Sequence, residues 1–475
     1  MRNNAWYLML FLAATMCQPK KVNPVETAVP SQVEEEETTS NTRVANTVVV
    51  KNTSALMKAV NEGKEGDIVH IKAGTYYLKK SLKPKNGMIL KGDGIGKTIL
   101  KGHSDWKPST NNLPEHVDSD KVNASAYLIN LGYGTPGVNI SQMTLQGPQL
   151  HGGIYGNNCD QLKVFQVKIQ DFLWCGIRTY RMDGAAIYSN TFVDAGGKFG
   201  NSTGGGIYVT WVKASNFYNN HFSRSSNSKR PFYGIKGRQG YNCRIYQNTI
   251  RVNFSIEFPH EHDENMEIDH NYITGTVSIP RHEGGKVPPS GSTFHIHHNY
   301  FTSSYAIEGS RNGLEINNNL FDFSTDKDHG NLVSSWTPKS PGPVKFHDNY
   351  IKNPGRGIFW TTHVYNGVSF YNNHVITNTT ITPRTEGLFG LPKETNFSTI
   401  KIFNNIIECK GTARPLMRNT ESYKAVIHNN KLTNVKDKGK FKNASTGNTK
   451  GPRGDGKFSC GVNGAYKVNR WSIQK

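Results

Sequence analysis

One short phrase recurs along most of this chain and restricts its fold more than any other feature. It consists of an apolar residue, two variable residues and an asparagine. It reads Ile187-Tyr-Ser-Asn190, Phe217-Tyr-Asn-Asn220, Ile245-Tyr-Gln-Asn248, Ile268-Asp-His-Asn271 and Ile296-His-His-Asn299. It continues as Ile316-Asn-Asn-Asn319, Phe346-His-Asp-Asn349, Phe370-Tyr-Asn-Asn373, Ile402-Phe-Asn-Asn405 and Ile427-His-Asn-Asn430. Successive closing asparagines are 30, 28, 23, 28, 20, 30, 24, 32 and 25 residues apart. Helical repeats keep a rigid period, so this uneven spacing excludes them. It suits a coil of three short strands joined by loops of variable length. Asparagine tolerates left-handed backbone angles at a turn, and stacked asparagine side chains can hydrogen-bond along a column. No single coil can bury its own apolar face, so many coils must stack.

The start of the repeat region agrees. Ser54 to Val60 reads as a short amphipathic helix able to cap the first coil, and Val69–Tyr76 and Met88–Gly92 supply the first strands. This opening and the asparagine phrases resemble right-handed parallel β-helix carbohydrate-active proteins, polysaccharide lyases among them. The resemblance spans roughly residues 48–435 and implies an all-β, single-stranded right-handed parallel β-helix, a solenoid with a short N-terminal capping helix. It does not choose a reaction, because lyases, hydrolases, epimerases and binding proteins all use this coil.

The ends read differently. Arg2, the apolar stretch Ala5–Met16 and then Cys17 resemble a bacterial lipoprotein signal, although Met16 stands where a small residue is usual. The stretch is shorter than the roughly 20 residues that span a bilayer. Residues 1–17 are therefore expected to direct export to the cell surface, the periplasm or the medium, with Cys17 as the point of a lipid anchor. Residues 18–47, polar and almost without large apolar side chains, read as a tether. Residues 48–435 are the expected catalytic coil. Residues 436–475, rich in Lys and Gly, are an expected terminal cap or loosely packed extension. Five further cysteines, an odd number without CxxC spacing, read as small buried thiols.

A second phrase precedes the first: a small residue, Ile, then an outward residue. It gives Gly176-Ile-Arg178, Gly206-Ile-Tyr208, Gly234-Ile-Lys236, Ser255-Ile-Glu257, Ser278-Ile-Pro280, Ala306-Ile-Glu308 and Gly357-Ile-Phe359. Neighbours in a strand point to opposite faces, so inward isoleucines imply an outer column Arg178, Tyr208, Lys236, Glu257, Pro280, Glu308. A second outer column would hold Tyr180, Thr210, Arg238, Pro259, His282 and Ser310. Inserted length in His260–Glu264 and Arg281–Pro289 falls beside these columns and predicts a cleft wall.

Lys and Arg total 56 against 36 Asp and Glu, a net charge of +20, which favours an anionic partner. An exported chain without a nucleic-acid module points to an acidic or sulfated polysaccharide or its oligosaccharides, not to nucleic acid. The chain is expected to work as a monomer. The leading expectation is β-elimination at a uronic acid, which needs a cation for the carboxylate, a base for the C5 proton and an acid for the leaving oxygen. Lys236, Arg238, His282 and Tyr208 are the candidate catalytic residues. Arg178, Tyr180, Glu257, Arg281, Glu308 and Arg311 are the candidate substrate contacts. The leaving group is either a sugar or water. The resemblance adds that such lyases often use a Lys/Arg pair, sometimes with calcium held by acidic residues; no dedicated metal motif stands out here. The alternatives are glycoside hydrolysis by paired carboxylates, from Glu261 with Asp263 or Glu257 with Glu308, and epimerisation or binding without catalysis. Two further matches are discounted. Gly92–Thr98 looks like a phosphate loop but has Lys91 where that pattern needs Gly, and His295-Ile-His-His298 belongs to the repeat.

Overall fold

The computed structural model describes residues 45–107, 124–199, 202–225, 233–260, 262–279, 293–309, 313–325, 330–335, 343–361, 367–379, 387–437, 440–441 and 457–469. The export signal and most of the tether lie outside them.

The chain winds as a right-handed parallel β-helix. The first strand is Thr47–Val50. The helix Thr53–Glu62 follows, capped by the Asn52 side chain, which accepts from the Ala55 amide at 2.8 Å, and it buries Leu56 and Val60 against the first coils. Beyond it, strands of successive coils pair in parallel in two long sheets, one of 27 strands and one of 11. The inward isoleucines form single files: Ile154, Ile177, Ile207, Ile235 and Ile256 are direct register partners in the smaller sheet. One continuous apolar core runs through the coils. The five described cysteines are all free and buried: Cys159, Cys243 and Cys409 lie in the coil core as expected, whereas Cys175 and Cys460 lie in smaller apolar clusters outside it.

The asparagines build the spine. Each closing asparagine donates its side-chain amide to the side-chain oxygen of the next, from Asn190 to Asn430 without a break, at 2.9–3.1 Å. That oxygen also accepts the backbone N–H of the preceding asparagine, as Asn299 does from Asn271 at 2.9 Å. The division of labour differs from the expectation. The left-handed turn falls on the residue before the ladder, such as His270, His298 or Asp348 at φ 54°, while the last asparagine stacks. The turn needs positive φ one position earlier, and the inward side chain that follows is the one that can reach its neighbours.

The tail also departs from a simple cap. Phe441 packs against Tyr423 near the last coil. Lys457–Cys460 and Tyr466–Asn469 form an antiparallel hairpin that lies instead against the middle coils. Gly461 N–H donates to the His270 carbonyl at 2.8 Å, and Tyr466 stacks on Tyr272 with ring centroids 3.8 Å apart. Among the described residues no helix is long and apolar enough to cross a membrane.

Candidate active site

The smaller sheet carries the charged strip on its outer face. Register runs from Arg178 to Tyr208, Lys236, Glu257, Ser278, Glu308, Ser334 and Trp360, one residue per coil. At the ordinary strand spacing these residues step by about 4.8 Å. A second outward file pairs Tyr180 with Thr210 and Thr210 with Arg238.

Two positions of the expected column are corrected. Val277, not Ile279, is the partner of Ile256 and Ile307, so Ser278 replaces Pro280 in the strip. The register slips beside Phe254 and Ile256, which shifts the phrase by one pleat. In the last phrase Ile358 and Phe359 are both buried; Phe359 pairs with Val333 and Trp360 faces out. Pro280, Arg281, His282, Ser310, Arg311 and Glu261 lie outside the described residues.

Arg178 and Tyr208 face out of the coil core but are fully buried, contrary to their expected exposure. Tyr127, Tyr155, Trp174, Cys175 and Tyr208 form a second apolar cluster on that outer face. Gly196, Gly197 and Gly204 lie against it. Cys175 bridges Gly196, Gly197 N–H donates to the Trp174 carbonyl at 3.3 Å, and Gly204 lies so close that a Cβ there would meet the Trp174 carbonyl at 1.8 Å. Arg178 sits over the Tyr208 ring at 4.5 Å. Burial drives the Tyr208 hydroxyl far above its ordinary pKa, so it stays protonated. Both side chains are thus closed off from solvent on the outer face.

The next strip residue is Lys236. Its ammonium is 3.5 Å from a Glu257 carboxylate oxygen, with both side chains about nine-tenths buried (8% and 12% exposed). It donates to the Thr203 carbonyl at 3.2 Å and lies 4.6 Å from the Tyr233 ring centroid and 5.2 Å from that of Tyr208. Burial lowers the Lys236 pKa, the Glu257 charge opposes this and Arg238 adds to the lowering. Tyr233 is the residue that sequence reasoning missed. Its hydroxyl is held protonated by burial and by the charge and hydrogen bond of Glu257. Strict alternation back from Ile235 turns Tyr233 inward. The backbone bends at Gly234, where a Cβ would meet Ile250 and the Ser255 carbonyl at 2.6 Å each, and the bend resets the alternation.

Glu308 lies two coils beyond Glu257, accepts from the Ser278 hydroxyl at 2.9 Å, and has its carboxyl pKa raised, chiefly by burial. Asp263 does not qualify as a catalyst. It is buried, and its two oxygens accept the Gly240 and His260 amides at 2.7 and 2.6 Å, which fixes the loop. On the larger sheet, Glu267, Asp269 and His297 converge closely enough to hold a metal ion. Asp269, however, is bound through both oxygens by the Arg244 guanidinium at 2.8 Å, so a cation already fills that position. The neighbouring histidines stack within the repeat: His270 lies 5.0 Å from His298, nearly parallel.

Residues 152–321 match a family model described as a right handed beta helix region. The match covers a little over a third of the chain and agrees with the parallel β-helix seen in the structure. No curated protein matches it. Solved structures of similar course include the catalytic domain of a GH87 alpha-1,3-glucanase in complex with nigerose, at 14% identity over 77% of this chain and 67% of that one, TM-score 0.42. A mutant tailspike protein of E. coli bacteriophage HK620 in complex with a pentasaccharide matches at 12% identity over 77% and 68%, TM-score 0.46. The A-module of the Azotobacter vinelandii mannuronan C-5 epimerase AlgE4 matches at 12% identity over 81% and 96%, TM-score 0.36. At these identities neither reaction nor substrate carries over.

Proposed function

We propose that this protein is an exported carbohydrate-active lyase that acts by β-elimination on a uronic-acid-containing polysaccharide or its oligosaccharides. The observation that carries the reading is Lys236: a nearly buried amine with a lowered pKa, on an outward strip, between a tyrosine and a second cation. Arg238, two residues on and outward like Lys236, pairs with the substrate carboxylate and withdraws charge from C5. Neutral Lys236 takes the C5 proton, the C4–O bond breaks as C4=C5 forms, and the Tyr233 hydroxyl protonates the departing oxygen. If O4 bears a sugar the chain is cut; if it bears hydrogen, water leaves. Export and a lipid anchor at Cys17 belong to the same proposal.

The test is absorbance near 235 nm on mixing with alginate, ulvan, pectate and glycosaminoglycan fragments. A rise reports the unsaturated uronate, and product mass then tells sugar from water as the leaving group. Flat absorbance with new reducing ends would instead support hydrolysis. The observation favouring that second reading is the raised pKa of Glu308, two strand spacings or roughly 10 Å from Glu257.

The rate should depend on pH in a defined direction. Burial moves the loss of the Lys236 proton below the ordinary value of 10.5, so kcat/KM rises with pH on a limb below that value. The Glu257 carboxylate is the largest influence holding the proton on. Glu257→Gln is therefore expected to move the limb to lower pH. A limb that stays in place would exclude Lys236 as the titrating base, and complete loss of turnover with new reducing ends in the wild type would select the hydrolase.

A further inference from the structure

We infer that Arg356, Trp360 and Arg418 form a clamp for a sulfate ester on a sugar unit remote from the reacting one. The inference rests on the polysaccharide reading above and names a chemical feature of its substrate. The strip does not end at Glu308. It continues through Ser334 to Trp360, whose next register partner is Gly390. Phe389 in turn bridges Met417, which puts Arg418 one position beyond Gly390 in the same outward file.

The local chemistry explains why the arginine reaches back. A Cβ at Gly390 would lie 2.8 Å from the Phe359 carbonyl and 3.5 Å from the Trp360 ring. Glycine leaves that space clear, and the exposed Arg418 side chain crosses it to bring its guanidinium 5.1 Å from the indole centroid. Arg356, just before Gly357, places its guanidinium 5.6 Å from the same indole and donates to the Tyr305 hydroxyl at 3.3 Å. Among the described residues neither guanidinium pairs with a carboxylate, whereas Lys236, Arg244 and Lys352 all do. Two uncompensated planar forks over one ring leave positive charge and fixed donors facing outward.

Asn331, register partner of Tyr305 and Gly357, is fully buried on the adjoining strand. A sulfate ester offers three oxygens to charge-assisted donors, and each guanidinium beside the indole keeps N–H donors for them. The clamp lies two coils, or roughly 10 Å, beyond Glu308 and five coils, or roughly 24 Å, from Lys236. Only a substrate several sugar units long reaches both.

The experiment is affinity electrophoresis of the full chain in gels containing ulvan or chondroitin sulfate, each beside its desulfated form. It is paired with KM and kcat on whichever polymer shows a rise at 235 nm. Wild type is expected to be retarded more by a sulfated polymer than by its desulfated form. Arg418→Ala and Arg356→Ala should each shrink that difference about tenfold in apparent affinity, as loss of one charge-assisted contact predicts. Arg418→Lys, which keeps the charge and loses the fork, should fall between. Where turnover is measurable, the change should appear in KM for the sulfated polymer. Equal retardation with and without sulfate, or retardation untouched by either alanine variant, would overturn the clamp. Sulfate-dependent retardation without any rise at 235 nm would uphold the clamp and count against the lyase reading alone.

Discussion

Lys236→Met is expected to lower kcat on the substrate identified at 235 nm by about 10³-fold, within the range that a positioned general base supplies. Methionine keeps most of the side-chain volume and removes the amine. It also leaves the Glu257 carboxylate nearly buried beside two tyrosines, and an uncompensated buried charge costs roughly 3–5 kcal/mol. Loss of folding must therefore be separated from loss of chemistry. Lys236→Arg keeps the ion pair and a positive charge but cannot act as a base near neutrality, because a guanidinium does not lose its proton there. Both variants should be inactive. Thermal unfolding of Lys236→Arg should resemble wild type, and it should still be retarded by an anionic polymer. Activity of Lys236→Arg within tenfold of wild type would remove Lys236 as the base. Tyr208 could not take over, since it is fully buried and stays protonated. His282, the expected alternative base, would then be next to test.

The largest effect on stability is expected at the middle of the asparagine ladder. Asn299 donates to the Ile268 carbonyl at 2.8 Å and to Asn319 at 3.1 Å, and its oxygen accepts from both nitrogens of Asn271. Alanine there removes the side-chain partner of the Asn271 backbone N–H and of the Ile268 carbonyl, and takes one of two hydrogen bonds from the Asn271 and Asn319 amides. At roughly 1–3 kcal/mol for each group left unsatisfied, and with some relaxation, Asn299→Ala should cost about 4 kcal/mol. Asn216 is exposed, so Asn216→Ala should stay within about 0.5 kcal/mol. The measurement is the shift of the urea midpoint for the two variants. Shifts of equal size would mean that the ladder contributes no more than an ordinary surface asparagine. A repeat array can unfold in stages, so a second, lower transition in Asn299→Ala would carry the same meaning as a shifted midpoint.

The repeat phrase was legible because it is local and periodic. An inward isoleucine or phenylalanine, a turn residue at positive φ and a stacking asparagine each follow from backbone sterics and hydrogen bonding within a few residues. The coil then repeats them. The same logic placed Lys236, Glu257 and Glu308 on one outer face, because side-chain direction alternates along a strand and the inward isoleucines fix the phase. Where the phase slipped, the reading slipped with it. The register shift beside Phe254 moved Ser278 into the strip, and the bend at Gly234 turned Tyr233 outward.

By itself, then, the sequence determined a parallel coil, an asparagine spine, buried thiols and a charged outer strip that holds Lys236, Glu257 and Glu308. Only the tertiary structure decided which strip residues meet solvent. It closed Arg178 and Tyr208 off from solvent, ran the tail hairpin along the middle coils, and let Arg418 reach across Gly390 to Trp360. Those outcomes depend on the course of loops between strands and on side chains meeting across several coils. A local period carries no information about either, because the energy that settles them comes from contacts between residues distant in the chain.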